Sequence, residues 1–381
     1  MSRWAILASY SLLAACTQLL WLSFAAIDTD AARALHVDVG TVGDLAIIFP
    51  FVYIVLALPT GRWLDVRFGQ ALSAGAILTG AGALVRLVAP TSFAWQAAGM
   101  LVIATGQPLV LNSITKVAAR YFPPGERTTA ISIGTAALFV GILAAVLTAG
   151  PLFSAGGLPL LLAAQAVPAV LSAVLVVIAF RAQPAYPDDP SVSVSLRWLT
   201  RDRFMWVLAG LVFIGMGTYN AVATWLQPIL DHFGEGAAAG DLIAVLTFAG
   251  VLGAAVIPPT AASRDVRRLA LLVALAVTAA AFAAVGLGHG VIWLGVWFFL
   301  EGLVLLACLP VVLDWSEVHA GPERQGAAVG FLMMAGNLGG VVLALAVQVV
   351  VGNPYLALGV LAIVALAGLP VALRLPARTT A

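Results

Sequence analysis

Long apolar runs alternate along this chain with short polar or Gly/Pro breaks, and each run is about 20 residues long, the length a helix needs to cross a hydrocarbon core. Twelve such runs are read, at 4–27, 41–60, 71–88, 95–119, 128–153, 158–180, 204–230, 237–258, 269–288, 291–313, 326–351 and 355–373. They predict an all-α, multi-pass membrane protein. An outer-membrane barrel would instead show period-2 alternation in segments of about 10 residues, a pattern the sequence lacks.

The chain repeats itself. Pro59-Thr60, four intervening residues and Asp65-Val66-Arg67 return as Pro259-Thr260, four intervening residues and Asp265-Val266-Arg267, a shift of 200 residues. Gly43-Asp44-Leu45 returns as Gly240-Asp241-Leu242 at a shift of 197. Pro108-Leu109-Val110-Leu111-Asn112 returns as Pro310-Val311-Val312-Leu313-Asp314, and Gly125-Glu126-Arg127 is echoed by Pro322-Glu323-Arg324. Each match is short, but all share one order and nearly one shift, which argues for duplication. Two parallel six-helix halves follow, 1–181 and 204–381, joined by a linker at 182–203 that holds Pro184, Pro187, Asp188, Asp189 and Pro190.

Between the second and third runs, Gly61-Arg62-Trp63-Leu64-Asp65-Val66-Arg67-Phe68-Gly69 resembles the Gly-x-x-x-Asp-Arg-x-Gly-Arg loop of the major-facilitator superfamily. It has one residue inserted before the basic position, and Gln70 stands where that loop is basic. The resemblance implies a major-facilitator fold of 12 transmembrane helices that carries solutes by rocker-switch alternating access. It also implies that Gly61, Asp65 and Arg67, with Asp265 and Arg267 in the repeat, form gating loops whose Asp–Arg and helix-dipole contacts break as the halves rock. A solvated basic loop is the alternative for Arg62.

Composition agrees with the pattern: 62% of residues are hydrophobic and 9% charged, mean hydropathy is +1.07, and soluble domains carry about 25% charged residues. Lys and Arg are retained in short cytoplasmic loops. With the amino terminus inside, 16 of the 18 basic residues fall on the inner face, and only Arg33 and Arg86 fall outward. Asp28, Asp30, Asp38, Asp231 and Glu235 crowd the outer loops. Both termini are therefore expected in the cytoplasm, and the protein in the cell (inner, cytoplasmic) membrane. The net charge of +1 hides this sorting and implies no nucleic-acid partner.

Leu13-Ala14-Ala15-Cys16 behind a basic amino terminus resembles a lipoprotein processing box, but the apolar run continues through Leu19-Leu20-Trp21-Leu22, so a membrane helix is the reading taken. Cys16 and Cys308 lie inside predicted helices as packing residues. No metal-ligand cluster surrounds them, and no cofactor is expected.

Polar side chains at mid-membrane depth face a bundle interior or a water-filled cavity. The first helix carries Thr17, Gln18 and Trp21, the fourth Gln107 and Asn112, the seventh Tyr219, Asn220 and Gln227, and the eleventh Asn337. In the tenth, Trp293, Trp297 and Glu301 form an i,i+4 stripe ending in a carboxylate. Glu301 is either a proton carrier, a counter-ion for a cation, or a protonated acid hydrogen-bonded between helices. Trp21 and Tyr219 offer π faces to a cation or serve as packing and anchors. Gln107 and Asn337 bind solute or act as interhelical glue. Asp44 and Asp241 are read as helix caps and Arg86 as snorkelling outward, with pairing to Asp44 as its alternative. Pro108, Pro151, Pro168, Pro228, Pro259 and Pro310 are expected to bend helices.

The stretch Gln107-Pro108-Leu109-Val110-Leu111-Asn112, with Val117 through Arg127 and Ile131-Ser132-Ile133-Gly134, is similar to the helix 4 to 5 region of the feline leukaemia virus subgroup C receptor family. Asp314-Trp315-Ser316-Glu317 with Pro322-Glu323 resembles that family's helix 10 to 11 region. This family of choline carriers, also linked to haem export, has a cation site built from a Trp, a Gln, a Tyr and a Gln. The resemblance places these at Trp21, Gln107, Tyr219 and Asn337, the last changed from Gln.

The expected function is secondary or facilitated transport of a small organic solute, a choline-like cation among them, by a monomer in the lipid bilayer. A proton-coupled drug or metabolite exporter is the alternative, for which Gly150-Pro151 resembles part of an antiporter motif. An intramembrane enzyme would need clustered catalytic groups, whereas His36, His232, His289 and His319 all lie at or near loops and no His-Glu-x-x-His is present. A channel is disfavoured by the duplicated architecture.

Overall fold

A computed structural model describes residues 2–186, 196–288, 290–321 and 323–377. Pro187, Asp188, Asp189 and Pro190 of the expected linker, and His289, Pro322 and Arg378, lie outside the described residues. Every helix and turn follows from one requirement: in lipid, backbone N–H and C=O groups must be satisfied within the segment. The elements are α1 (Arg3–Trp21), α2 (Asp28–Leu35), α3 (Val39–Val88), α4 (Phe93–Leu111), α5 (Ile114–Tyr121), α6 (Pro124–Ala179) and α7 (Arg203–Asp231). They continue as α8 (Ala239–Ser263), α9 (Arg267–Leu287), α10 (Val291–Leu305), α11 (Cys308–Ala320), α12 (Gln325–Val350) and α13 (Pro354–Ala372). No strand occurs among the described residues.

Ten stretches among the described residues are long and apolar enough to cross a membrane. Two of them, α3 with 50 residues and α6 with 56, are each twice the length of one crossing. α3 leaves helical geometry only at Arg67 (φ −141°, ψ 60°), and α6 only at Gly156 and Gly157. Counting each as two gives the twelve crossings read from the sequence.

The connections differ from expectation. The loop expected over residues 61–69 is helical except at Arg67, because Gly61 through Val66 offer no proline or left-handed residue to stop the ladder. The fourth and tenth crossings are each broken once, α4 giving way to α5 at Asn112–Ser113 and α10 to α11 at Leu306–Ala307. Pro151, Pro168, Pro228 and Pro259 lie inside continuous helices. Asp44 lies beyond the first turn of α3 and is exposed. Asp38 caps that helix instead, accepting from Thr41 N at 2.9 Å and from Thr41 Oγ1 at 2.6 Å. Those bonds, the hydroxyl's first, hold the Asp38 carboxyl below the usual carboxylate range. The cap is therefore complete above that range and is lost as pH falls through the lowered value. Asp241 does sit in the first turn of α8, but no side-chain cap bond forms there.

The chain divides into two compact units, Met1–Ala130 with Ala137–Ser195 and Ala320–Gly330, and Ile131–Ala136 with Leu196–His319 and Phe331–Ala381. In the first, α3 and α4 pack on a seam of glycines one heptad apart. A Cβ at Gly82 would lie 2.7 Å from Gly99 O, and one at Gly106 would lie 2.9 Å from Gly75 O. Small residues at this spacing let two backbones approach where lipid supplies no hydrophobic drive. The second unit uses the same device between α7 and α12, where a Cβ at Gly217 would lie 2.8 Å from Gly339 O.

The turn inside α6 depends on Gly157, whose φ of 64° with ψ of −161° lies in a region essentially confined to glycine. Gly157→Ala is expected to destabilise the protein by about 1–3 kcal/mol, seen as a lower melting temperature in detergent. Gly150→Ala in the same helix, where a Cβ meets nothing within 4 Å, is expected to be neutral or stabilising by up to about 1 kcal/mol.

Candidate functional site

The first unit is organised at one membrane face by Asp65, near the end of the second crossing. Its side chain is fully buried and receives Lys116 Nζ at 3.1 Å. Its two oxygens also accept from Gly326 N at 2.7 Å and Ala327 N at 2.8 Å, the free amides at the start of α12. A carboxylate at a helix N-terminus meets both unsatisfied donors and the positive end of the dipole. The approach is possible because Gly61 lies against the Gly326 carbonyl with no side chain between. The expected gating residues thus separate: Gly61 and Asp65 are engaged, whereas Arg67 is exposed, without an ion pair among the described residues, and marks the bend. The cation that meets Asp65 is Lys116, which sequence reasoning passed over. It is the sole lysine in the sequence, and that was its available signal.

In the second unit the charges change places. Arg267 Nε donates to Asp314 Oδ2 at 2.6 Å and lies 3.6 Å from Asp265 Oδ1. Asp265 itself adopts a positive φ of 51° at the turn into α9. The repeat matches Asp265 to Asp65 and Asp314 to Asn112. Asp65 of α3 thus meets Lys116 of α5, whereas Arg267 at the start of α9 meets Asp314 of α11.

Within the membrane the first unit holds Gln18, Trp21, Gln107 and Asn112. Trp21 is half-buried and donates Nε1 to Ala46 O at 2.9 Å, with its ring 6.3 Å from Phe49. Gln18 and Gln107 are buried, and no hydrogen bond joins either amide to a described residue. Tyr10 of α1 bonds Val110 O of α4 at 3.0 Å. With those helices antiparallel, Gln18 and Gln107 stand about 7.5 Å apart along the axis at 1.5 Å per residue. Asn112 is fully engaged: it accepts from Tyr53 OH at 2.7 Å and donates to Ala57 O at 3.0 Å and Thr60 Oγ1 at 3.3 Å. That network ties α3 to the broken fourth crossing and leaves no part of the amide for a solute.

Arg86 corrects the snorkelling expectation. It is 1% exposed, donates from Nε to Gln96 Oε1 at 3.0 Å and from Nη1 to Ser23 Oγ at 2.9 Å, and lies over the Phe24 ring at 5.1 Å. Neutral acceptors and a π face hold the guanidinium inside, aided by Gly99, whose missing side chain leaves room for its stem. Asp44 takes no part.

In the second unit, Tyr219 OH lies 3.3 Å from Thr247 Oγ1 on α8, whose own hydrogen goes to Ile243 O at 2.8 Å. Asn220 packs against Gly340, where a Cβ would lie 2.5 Å from its Nδ2. Asn337, one turn earlier on α12, donates to Met333 O at 2.9 Å. The α7–α12 seam thus brings Asn220 and Asn337 to one stretch, with Tyr219 turned to α8. On α10, Trp293 and Trp297 form an edge-to-face pair with centroids 5.9 Å apart, and Trp293 Nε1 is anchored on Ala284 O at 2.9 Å. Glu301 is 0% exposed, and neither carboxyl oxygen has a hydrogen-bond partner among the described residues. The reading of Glu301 as interhelical glue thus lacks a partner there. Gly302 and Leu303 meet α8 at Leu246 and Gly253, and the helical turn puts Glu301 off that face, toward Trp297. Among the described residues no group of three His, Cys, Asp or Glu side chains is placed to hold a metal.

Twelve apolar crossings with few, sorted and mostly satisfied polar groups define a multi-pass membrane carrier. Residues 6–344 match the family model of the Major Facilitator Superfamily, and the chain belongs to that superfamily. It is a transporter of small solutes, not an enzyme. Solute carrier family 49 member A3 of Danio rerio is 30% identical over 272 residues, 66% of this chain. The match spans 57% of the zebrafish protein's length. The human choline/ethanolamine transporter FLVCR2 is 23% identical over 385 residues, 92% of this chain and 72% of the human one. The fold is similar to a crystal structure of a bacterial homologue of the iron transporter ferroportin, with a TM-score of 0.80 at 15% identity over 98% of both chains.

Asp65→Asn is expected to destabilise the protein by about 3–5 kcal/mol, the usual cost of removing one charge of a buried, hydrogen-bonded pair. Lys116→Gln should cost less, since two backbone amides still meet the carboxylate. Thermal unfolding of the two variants in one detergent checks the order; equal losses would contradict it.

Proposed function

We propose that this transporter carries a choline-like organic cation by alternating access. The candidate solute-binding side chains are, in the first unit taken by itself, Gln18, Trp21 and Gln107 and, in the second taken by itself, Tyr219, Asn220, Trp297, Glu301 and Asn337. The observation carrying this reading is the state of the two aromatics. Trp21 has its N–H on Ala46 O, and Tyr219 has its hydroxyl on Thr247. What they offer a solute is their π faces. A quaternary ammonium has no N–H to donate and is recognised through such faces, at about 0.5–2 kcal/mol each. The amides of Gln18 and Gln107 suit a hydroxyl, and Glu301 suits the positive charge. Choline and ethanolamine transport, the activity for which the human relative is named, supports the same class.

We assign both termini to the cytoplasm of a cell (inner) membrane, supported by the sorting of the basic residues, and take the protein as a monomer of two six-helix halves, 1–181 and 204–381, joined by 182–203. A second reading, proton-coupled export, is favoured by one observation: both oxygens of Glu301 are buried without a partner among the described residues, as suits a group that alternately takes up and gives up a proton.

Proteoliposomes are expected to take up labelled choline saturably. Trp21→Ala should lower uptake about tenfold, equivalent to about 1.4 kcal/mol, and Tyr219→Phe should retain more uptake than Tyr219→Ala. Absence of saturable uptake, or indifference to Trp21→Ala, would sink the choline reading. Glu301→Gln separates the two roles: uptake lost at every pH marks a counter-ion, whereas flux that persists but ignores a pH gradient marks a proton carrier. An unchanged rate and pH profile remove Glu301 from both.

A further inference from the structure

α7 and α13 pack side by side in the second unit. Where α7 begins and α13 ends, a groove of about 810 Å³ opens, lined among others by Arg203, Phe204, Trp206, Val371, Arg374 and Leu375. Its floor is apolar and braced. Phe204 packs on Trp315 at 5.5 Å and on His319 at 4.3 Å, and Trp206 packs on Phe331 at 4.9 Å. Its rim carries two exposed guanidinium groups, Arg203 and Arg374, neither of which has an ion pair or hydrogen bond with another described residue. The adjacent carboxylate, Asp202, is already engaged: it accepts from Met205 N at 3.1 Å and pairs with His319 Nε2 at 2.8 Å. Beside the groove, Trp206 is 54% and Leu373 53% exposed, a surface suited to acyl chains rather than to water.

An apolar wall topped by two arginines at the ends of α7 and α13, without ion pairs among the described residues, has the complementarity of a lipid molecule with a negative headgroup. Guanidinium forks bind phosphate oxygens in pairs, and a basic interfacial pocket between transmembrane helices is suited to anionic headgroups. A zwitterionic lipid would bring its ammonium beside two cations, and the one carboxylate next to them among the described residues, Asp202, is already engaged. We propose that this groove is a binding site for an anionic phospholipid, with the headgroup phosphate on Arg203 and Arg374 and an acyl chain along Trp206 and Val371. The site is separate from the residues assigned to the solute.

The test uses the purified full chain in a neutral detergent, with melting temperature followed on adding phosphatidylglycerol, phosphatidylcholine or soluble glycerol 3-phosphate. Phosphatidylglycerol should raise the melting temperature by several degrees more than phosphatidylcholine, through binding to the folded state, and glycerol 3-phosphate should do nothing. The R203Q/R374Q double variant should lose that difference, whereas Arg62→Gln, at an exposed arginine elsewhere, should keep it. Equal shifts with both lipids, an equal shift with glycerol 3-phosphate, a difference that survives R203Q/R374Q, or its loss in Arg62→Gln overturns the site. Should the double variant not fold, wild-type protein labelled by a photoactivatable phosphatidylglycerol decides the matter. Label in the segments 203–210 and 371–375, competed by phosphatidylglycerol and not by phosphatidylcholine, supports the groove; label only elsewhere rejects it.

Discussion

In hydrocarbon there is no water to complete a hydrogen bond, and this requirement governs side chains as strictly as backbone. Several hydroxyl groups along the spans obey it locally, bending back to carbonyls of their own helix. Thr79 reaches Gly75 O at 2.8 Å, Thr135 reaches Ile131 O at 2.8 Å and Thr224 reaches Asn220 O at 2.7 Å. Longer polar side chains obey it across helices, as Asn112 does between α3 and the broken fourth crossing. Against that background the exceptions carry the information. They include the hydroxyls of Ser132, Thr218 and Thr278 and, among ionisable side chains, the carboxyl of Glu301 and the third nitrogen of Arg86, buried without partners among the described residues. Such groups are expensive to keep, and function is the usual reason they persist.

The exceptions also bear on the duplication. At the shifts that align the halves, Arg86 corresponds to Gly286 and Glu301 to Gly99. The first unit places a cation on its third crossing over a glycine on its fourth. The second has a glycine on its ninth and an acid on its tenth. At the same shifts Asp65 corresponds to Asp265 and Arg67 to Arg267, so the two units keep the charges of that motif and differ in the buried partners, Lys116 in one and Asp314 in the other.

Much of the fold was legible because lipid makes the rule simple: apolar length predicts crossings, and all twelve appear where the runs stand. Connections were less legible, since a single residue, Arg67, or a pair, Gly156–Gly157, turns the chain without the polar segment a sequence reading looks for. Partners of buried charges were least legible. Arg86 finds Gln96 ten residues on and Ser23 sixty-three residues back, contacts that depend on helix rotation rather than spacing. Lys116 meets Asp65 for the same reason. Asn112 was read as facing solute from its depth alone, and depth does not distinguish an amide that is free from one that three partners already hold. Trp21, Gln107 and Tyr219 were marked by residue type and position, which tertiary packing alters less.

Two glycines carry the chain from the fifth crossing to the sixth. A joint this short has no slack, so the ends of the two helices at that face cannot slide apart or drift in separate directions. Mechanically the pair is a folded lever: force applied along one arm is transmitted to the other at the fold. The longer connection through α2, between the first crossing and the second, is held by packing instead, with Ile27, Ala31, Ala32 and Leu35 buried in the core of the first unit. Two joints at that membrane surface are thus fixed by different means, one by brevity at Gly156–Gly157 and the other by burial between Ile27 and Leu35.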